Sequence, residues 1–275
     1  MVPLLLAAQL CASALLPPSR LLLPSDAGLT EVLSVPINEG LALTLLEANA
    51  ASQEILVNAA LDLASQGADE DPYGTVLWPA AQVVAQALAG LELEGARVLE
   101  LGAGTGLCSL AAAACGAEVL ATDYREEPLE LLRDAAVLNK QTLQRELRVS
   151  TRLFDLQGDE PLPLIPHVLV AADLLYFKRT SSALARRCIE ALAGGARYVL
   201  VGDCGRPGQG TFIDELLNAG VREAAVTFRR VDGWSSGSHR HSLIASCDGG
   251  IPQPVSVGLL TLEPSDLSGS SPRSG

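Results

Sequence analysis

The chain has 275 residues, of which 48% are apolar, enough to bury the core of one domain. Its 19 basic and 32 acidic residues give a net charge of -13, a field that repels phosphate backbones and favours cationic partners. We therefore expect no nucleic acid partner. The six cysteines are scattered without a C-x-x-C pair, so we expect neither a zinc cluster nor a disulfide framework, and no metal.

The first 72 residues are predicted to be an N-terminal extension. Its start, residues 1–20, holds an apolar run with no basic residue before it. This is a poor secretory signal and too short to span a bilayer, so it is either an organelle presequence or a buried element. We expect no membrane partner, and we expect a cytoplasmic or organellar location (mitochondrion or plastid). Residues 30–45 alternate in β-like fashion, and 46–65 predict a helix because they lack Gly and Pro.

The remainder of the chain, 73–263, predicts one α/β domain. A helix enters through Pro79 and ends near Gly90, and strands then alternate with helices. Such alternation is typical of a parallel, doubly wound sheet with helices on both faces. Residues 264–275 predict a disordered tail. The predicted strands are 97–101, 118–122, 147–153, 167–172, 196–202, 223–231 and 255–262, and the helices are about 106–115, 126–139, 180–193 and 210–219.

A glycine turn follows the strand at 98–101, in the stretch VLELGAGTGL. Its glycines Gly102, Gly104 and Gly106 are not spaced as in the dinucleotide fingerprint, because Leu107 takes the place of the third small residue. Glu100, at the end of the strand, would repel a diphosphate but can accommodate a cationic group. Asp123 closes the next strand, where a carboxylate can accept hydrogen bonds from both ribose hydroxyls. S-adenosylmethionine fits these residues, since it has no phosphate and carries a sulfonium and an ammonium.

Around this turn the chain resembles the class I, seven-strand S-adenosylmethionine methyltransferases, and more narrowly the methyltransferase-like protein lysine methyltransferases. The resemblance spans about Tyr73 to Gly220 and implies a Rossmann-like sheet of seven strands, mostly parallel with one antiparallel strand. The combination of L-W-P-A-A before the turn and A-D-x-x-Y after it is the specific part. The matching pieces are YGTVLWPAA (73–81), VLELGAGTGL (98–107), LATDY (120–124), NK (139–140), LFDL (153–156), VAADLLYF (170–177) and VGDCGRP (201–207).

The resemblance also implies roles for individual residues at the cofactor. Trp78 is similar to a tryptophan that lines the cofactor pocket, and Phe154 stands where the family often has a tryptophan beside the adenine. Asp155 is a candidate partner for the adenine amino group. Ala172 occupies the position that packs on the cofactor at the end of the fourth strand. Gly102, Gly104 and Asp123 match the loop glycines and the ribose acid.

Asp173 and Tyr176 are the candidate catalytic residues, in the stretch ADLLYFK. A spacing of three in a short helical turn would place both side chains on one face. Tyr176 can then orient the amine of a substrate lysine, and Asp173 can attract the incoming cation. The alternative is that Asp173 caps the following helix. Outside this stretch, Arg206 is a secondary candidate for substrate contact. Trp234 is a candidate either for substrate contact or for anchoring its loop. His239 and His241 are more typical of a polar loop than of a metal site.

Several functions stay open at this point. The leading hypothesis is methylation of a lysine side chain in a protein substrate. A second is methylation of a small molecule at N, O or S, and a third is a non-catalytic protein that binds S-adenosylmethionine and acts by contact. A nicotinamide dehydrogenase is the most distant, because a ribose acid also occurs in NAD sites.

Overall fold

The computed structural model describes residues 19–21, 30–65, 73–231 and 256–267. A three-stranded antiparallel sheet near the start of the chain precedes a seven-stranded sheet. In chain order the elements are β1 (Ser19–Leu21), β2 (Thr30–Asn38), β3 (Leu41–Ala48), α1 (Ala50–Ser65), α2 (Pro79–Ala89), β4 (Arg97–Leu101), α3 (Leu107–Ala114), β5 (Glu118–Asp123), α4 (Glu126–Leu143), β6 (Arg148–Leu153), β7 (Val168–Ala172), α5 (Lys178–Ala193), β8 (Tyr198–Asp203), α6 (Gln209–Asn218), β9 (Arg229–Val231) and β10 (Val257–Leu262).

The seven-stranded sheet has the order β6-β5-β4-β7-β8-β10-β9. Strands β6, β5, β4, β7 and β8 pair in parallel, while β10 runs antiparallel to both β8 and β9. This is the predicted doubly wound sheet with one antiparallel strand. The strand order reverses at β4, which has β5 on one side and β7 on the other, and a ligand in such a sheet binds at the carboxyl ends of the strands at that point. We call this side of the sheet the carboxyl edge.

The small sheet packs on the helices of the large one. Its apolar residues, such as Val35 and Leu43, share a buried cluster with Leu107 of α3 and Leu132 of α4. The outer edge of β3 is covered by Asn139 of α4, whose Oδ1 accepts from the Thr44 backbone N–H at 2.8 Å and whose Nδ2 donates to the Thr44 carbonyl at 2.6 Å. A single amide therefore satisfies backbone groups that an edge strand would otherwise leave unpaired.

Two of the predicted elements are placed differently in the structure. The helix expected over 46–65 begins at Ala50, because residues up to Ala48 pair with β2 in register with Thr30. The strand expected over 223–231 is short: Glu223–Ala225 form a 3-10 turn and only Arg229–Val231 pair with β10.

The predicted tail starts too early. Pro264–Asp266 form a second 3-10 turn, in which the Asp266 carboxylate accepts from the Glu263 N–H at 2.8 Å and pairs with the Arg222 guanidinium. Leu267 forms a β-bridge with Val221. These bonds order the chain as far as Leu267, and residues 268–275 lie outside the described residues. The proposed domain boundaries stay predictions.

None of the described helices combines the length and the apolar character that a membrane span requires.

Candidate active site

The turn between β4 and α3 is built from left-handed glycines. Gly102, Gly104 and Gly106 have φ of 61°, 52° and 80°, a region that side chains with a Cβ rarely adopt. Packing adds a second reason at two of them. A Cβ at Gly106 would lie 2.2 Å from Leu132 Cδ1, and one at Gly102 would lie 2.7 Å from Leu174 Cδ2. Glycine is therefore the residue that follows this path without backbone strain or a displaced leucine side chain.

Asp123, the last residue of β5, is tied directly to the glycine turn. Its Oδ2 accepts from the Gly104 N–H at 3.1 Å, and its Oδ1 accepts from the Arg125 N–H at 3.1 Å. The Ala103 N–H also donates to the Thr122 carbonyl at 2.8 Å. The carboxyl ends of β4 and β5 therefore form one hydrogen-bonded unit, with a buried carboxylate beside the turn.

Glu100 lies beneath the turn and is only 2% exposed. Its Oε2 accepts hydrogen bonds from the Ser109 N–H at 2.9 Å and from the Ser109 hydroxyl, both in the first turns of α3. Burial outweighs these bonds and raises the pKa of Glu100 from 4.5 to about 7. Glu100 therefore stabilises the start of α3, and its carboxyl group titrates near neutral pH.

The segment from Tyr73 to Trp78 covers the turn. The Gly74 carbonyl lies so near Gly104 that a Cβ there would be 3.1 Å from it. The segment is held by the Thr75 carbonyl, which accepts from the Ala48 N–H at 2.9 Å. It is also held by the buried carboxylate of Glu47, which accepts from the Leu77 N–H at 3.1 Å. Strand β3 therefore positions one wall of the site.

Asp173 has a different role from the one its spacing predicted. It has a φ of 57°, and α5 begins only at Lys178, so the expectation that Asp173 and Tyr176 share a helical face is wrong. The alternative, a cap on the following helix, is wrong as well. Its Oδ2 accepts from the Ala80 N–H at 2.7 Å, in the first turn of α2, and its Oδ1 accepts from Arg206 Nε at 3.1 Å.

Arg206 brings the predicted residues together. Its guanidinium carbon lies 4.7 Å from the centre of the Trp78 ring and 6.0 Å from that of Tyr176, distances typical of cation–π contacts. With its ion pair to Asp173, it joins residues that follow β7 and β8 to the start of α2. Sequence analysis gave Arg206 only a secondary place. Its position just after β8 could have identified it from the sequence, because Asp173 follows β7 at the same carboxyl edge.

The turn that carries Arg206 is fixed by Asp203, the last residue of β8. Asp203 Oδ2 accepts from the N–H groups of Gly205 and Arg206 at 2.7 and 2.9 Å and from Gln209 Nε2 at 3.0 Å. Burial raises the pKa of Asp203. Because both its backbone and its guanidinium are held, Arg206 is a fixed cation rather than a mobile surface arginine.

Three predicted cofactor residues lie apart from this cluster. Phe154 is in the core, 5% exposed, and the Arg187 guanidinium lies over its ring at 5.1 Å, which leaves little ring surface for an adenine. Asp155 is exposed, and its Oδ1 accepts from the Gln157 N–H at 2.8 Å. Ala172 is half-buried at the end of β7. The 46% exposed ring of Tyr124, next to Asp123, was not singled out from the sequence.

Other candidates fall outside what the structure covers. Trp234, His239 and His241 lie between the described ranges 73–231 and 256–267. Within the described residues, no three His, Cys, Asp or Glu side chains are grouped in a way that could hold a metal ion.

The fold defines a Rossmann-like protein, and the candidate site lies at the switch point of its sheet, where such folds bind ligands. A family model described as lysine methyltransferase matches residues 57–217. The protein N-lysine methyltransferase METTL21A of Danio rerio is 35% identical over 175 residues, which cover 61% of this chain and 77% of the relative. The chain therefore belongs to the lysine methyltransferase family, which confirms the predicted family and enzyme class.

Other similarities are narrower or concern the fold alone. The histone-arginine methyltransferase METTL23 of Mus musculus is 42% identical over 71 residues, 24% of this chain and 28% of that protein. A putative methyltransferase complexed with SAH superposes with a TM-score of 0.51 at 11% identity, covering 88% of this chain and 58% of the other. The 16S rRNA N2 G1207 methyltransferase of T. thermophilus gives 0.50 at 15% identity, covering 88% and 52%. These structures support the predicted fold.

Proposed function

We propose that the carboxyl edge binds S-adenosylmethionine and directs its methyl group to the side-chain nitrogen of a lysine in a protein. The observation that carries this proposal is the bond between the Asp123 carboxylate and the Gly104 N–H. It makes the glycine turn and the acid of the next strand one preformed cradle. The name of the Danio rerio relative, a protein N-lysine methyltransferase, supports lysine as the acceptor.

The residues around the cradle fit a cofactor that is cationic and free of phosphate. The stretch 98–107 contains no Lys or Arg, whereas Glu100 and Asp123 supply two carboxylates. When bound, S-adenosylmethionine supplies an electrophilic methyl group on a sulfonium. Asp123 would hold the ribose hydroxyls, and the charge of Glu100 beneath the turn would favour a cation above it. The proposed cofactor residues are Trp78, Glu100, Gly102, Gly104, Gly106, Asp123, Asp155 and Ala172.

For the adenine, the exposed ring of Tyr124 is better placed than Phe154. Tyr124 directly follows Asp123 at the carboxyl edge, whereas one face of Phe154 is covered by Arg187. We therefore assign Phe154 a supporting role in the wall, through its packing in the core. Asp155 remains the candidate partner of the adenine amino group.

At the reacting end the acceptor lysine must lose a proton, which costs roughly 4–5 kcal/mol at neutral pH for an amine of pKa about 10.4. The fixed cation of Arg206 disfavours an ammonium beside it and so favours the neutral amine. Tyr176 would orient that amine. Asp173 is a positioning residue in this proposal: its side chain is 1% exposed, and it acts through Arg206 and the first turn of α2.

Titration calorimetry and methyl transfer test the proposal together. Asp123→Asn should weaken binding of S-adenosylmethionine by about 10–100-fold, because a charged acceptor for hydroxyl groups is lost. Asp134→Asn, at an exposed acid of α4, is the matched control and should leave the affinity unchanged. Equal affinities in the two variants would contradict the assigned cofactor site.

Transfer is then measured with tritiated cofactor and a protein extract. Label in protein that survives hydrolysis as methyl-lysine supports the proposal. Label in small molecules alone would favour a small-molecule methyltransferase, and binding without any labelled product would favour a non-catalytic partner protein.

A further inference from the structure

Phe177 occupies a helix-capping position where its side chain cannot act as a cap. It is the N-cap of α5, with extended backbone angles and no capping hydrogen bond from its side chain. N-cap positions favour Ser, Thr, Asp or Asn, whose side-chain oxygen accepts an N–H of the first turn. Phe177 offers no such acceptor, and it is 57% exposed. An exposed apolar side chain at a position that favours polar residues indicates a use outside the fold.

The Phe177 ring continues the aromatic wall of the candidate reacting end. It packs edge-on against Tyr176, with 5.1 Å between the ring centres and an angle of 74°. The Arg206 guanidinium lies near the ring of Tyr176 and also over the ring of Trp78. The row of Trp78, Arg206, Tyr176 and Phe177 therefore leads from the site to the solvent.

The next two residues add positive charge. Lys178 and Arg179 are exposed, and neither forms an ion pair with another described residue. Cations in the first turn of a helix oppose its dipole, so these side chains also do not stabilise α5. On a chain with a net charge of -13, they form a local positive patch. We call Phe177, Lys178 and Arg179 the rim patch.

Three other exposed apolar side chains of the described residues have different surroundings. Tyr124 and Leu153 lie at the ends of β5 and β6, on the side assigned to the cofactor. Ile165 precedes β7 and therefore lies at the opposite edge of the sheet. Phe177 is the exposed apolar side chain that adjoins Tyr176, where a substrate lysine would enter.

We propose that the rim patch docks the protein substrate. Phe177 packs on an apolar side chain next to the target lysine, and Lys178 and Arg179 pair with acidic side chains of the same substrate surface. The proposal rests on the proposed function, since it names how the substrate of that site is recognised. Aromatic residues and arginine are enriched in protein interfaces.

The test compares stability with kinetics. The probe is the protein fraction of an extract, labelled with tritiated S-adenosylmethionine at several dilutions. Phe177→Ser should raise the half-saturating extract concentration about 10-fold, which is about 1.4 kcal/mol, with the maximal rate within about twofold. Because Ser is a better N-cap, thermal stability should rise or stay equal. Phe177→Leu should keep most of the affinity, and Ile165→Ser is the control at the opposite edge.

Each outcome decides the proposal. The proposal is overturned if the half-saturating extract concentration of Phe177→Ser lies within about twofold of that of the native protein. It is also overturned if the variant loses maximal rate and melts at a lower temperature, because that result indicates a structural role. Mass spectrometry of the labelled lysines is the second measurement: sites without an apolar and an acidic neighbour overturn it. If the native protein binds cofactor but labels no protein, the proposed function itself fails, and this outcome is distinct from the others.

Discussion

The first prediction concerns Glu100, because its buried environment disfavours the ionised carboxylate. The side chain is 2% exposed and its pKa is raised from 4.5 to about 7, chiefly by burial. Below pH 4.5 both the folded and the unfolded chain hold the proton. Between pH 4.5 and 7 the unfolded chain releases it while the folded chain keeps it, so the free energy of unfolding falls as the pH rises. Above pH 7 the loss is complete.

The size of the effect follows from the shift. At 1.36 kcal/mol per unit of pKa, the displacement corresponds to about 3 kcal/mol. Glu100→Gln removes the titration but keeps a carbonyl oxygen that can accept from Ser109. The variant should match the native protein near pH 4.5 and exceed its stability by about 3 kcal/mol above pH 7.

Urea unfolding from pH 4.5 to 8.5 measures this difference. Glu130→Gln, at an exposed acid of α4, is the matched control, and its difference from the native protein should not vary with pH. A constant difference for Glu100→Gln across the range would refute the reasoning. Since charge beneath the turn is proposed to favour the cationic cofactor, the more stable variant should also bind S-adenosylmethionine less tightly above pH 7.

Three further substitutions test other contacts. Gly106→Ala places a Cβ in a left-handed turn and against a leucine, and should lower stability by about 2–3 kcal/mol; Gly210→Ala, where nothing lies within 4 Å, should not, and equal melting temperatures would contradict the packing argument. Asn139→Leu removes both partners of an edge-strand residue and should cost about 2–4 kcal/mol in urea unfolding; a neutral result would mean that water replaces the amide. Asp173→Asn keeps an acceptor for α2 but loses the charge that holds Arg206, so the methyl-transfer rate should fall about 10-fold or more with cofactor affinity within twofold; a parallel loss of affinity would contradict a positioning role.

Elements whose signals are local could be predicted from the sequence. The strand at 97–101 was predicted with the observed bounds, because a buried apolar run ended by glycines is a short-range pattern. The helix from Pro79 to Ala89 was predicted for the same kind of reason, since proline starts it and glycine follows it. The parallel, doubly wound character of the sheet followed from the alternation of strands and helices.

The placement of side chains in the site could not be predicted in the same way. Asp173 is held by Ala80, 93 residues away in the chain, so its spacing from Tyr176 carried no information about its partner. Residues 46–48 were predicted to be the start of a helix, yet pairing with β2 extends them as the end of a strand. Contacts distant in sequence decided each of these cases.

Strand β10 has a consequence for synthesis of the chain. It lies between β8 and β9 and is the strand that joins β9 to the sheet. Until residues 257–262 have been made, the apolar strand β8 has an open edge and β9 lacks its pairing partner. Unpaired strand edges promote association between chains. We therefore expect the nascent protein to depend on chaperones until this late strand inserts, although the cofactor cradle is encoded more than 130 residues earlier.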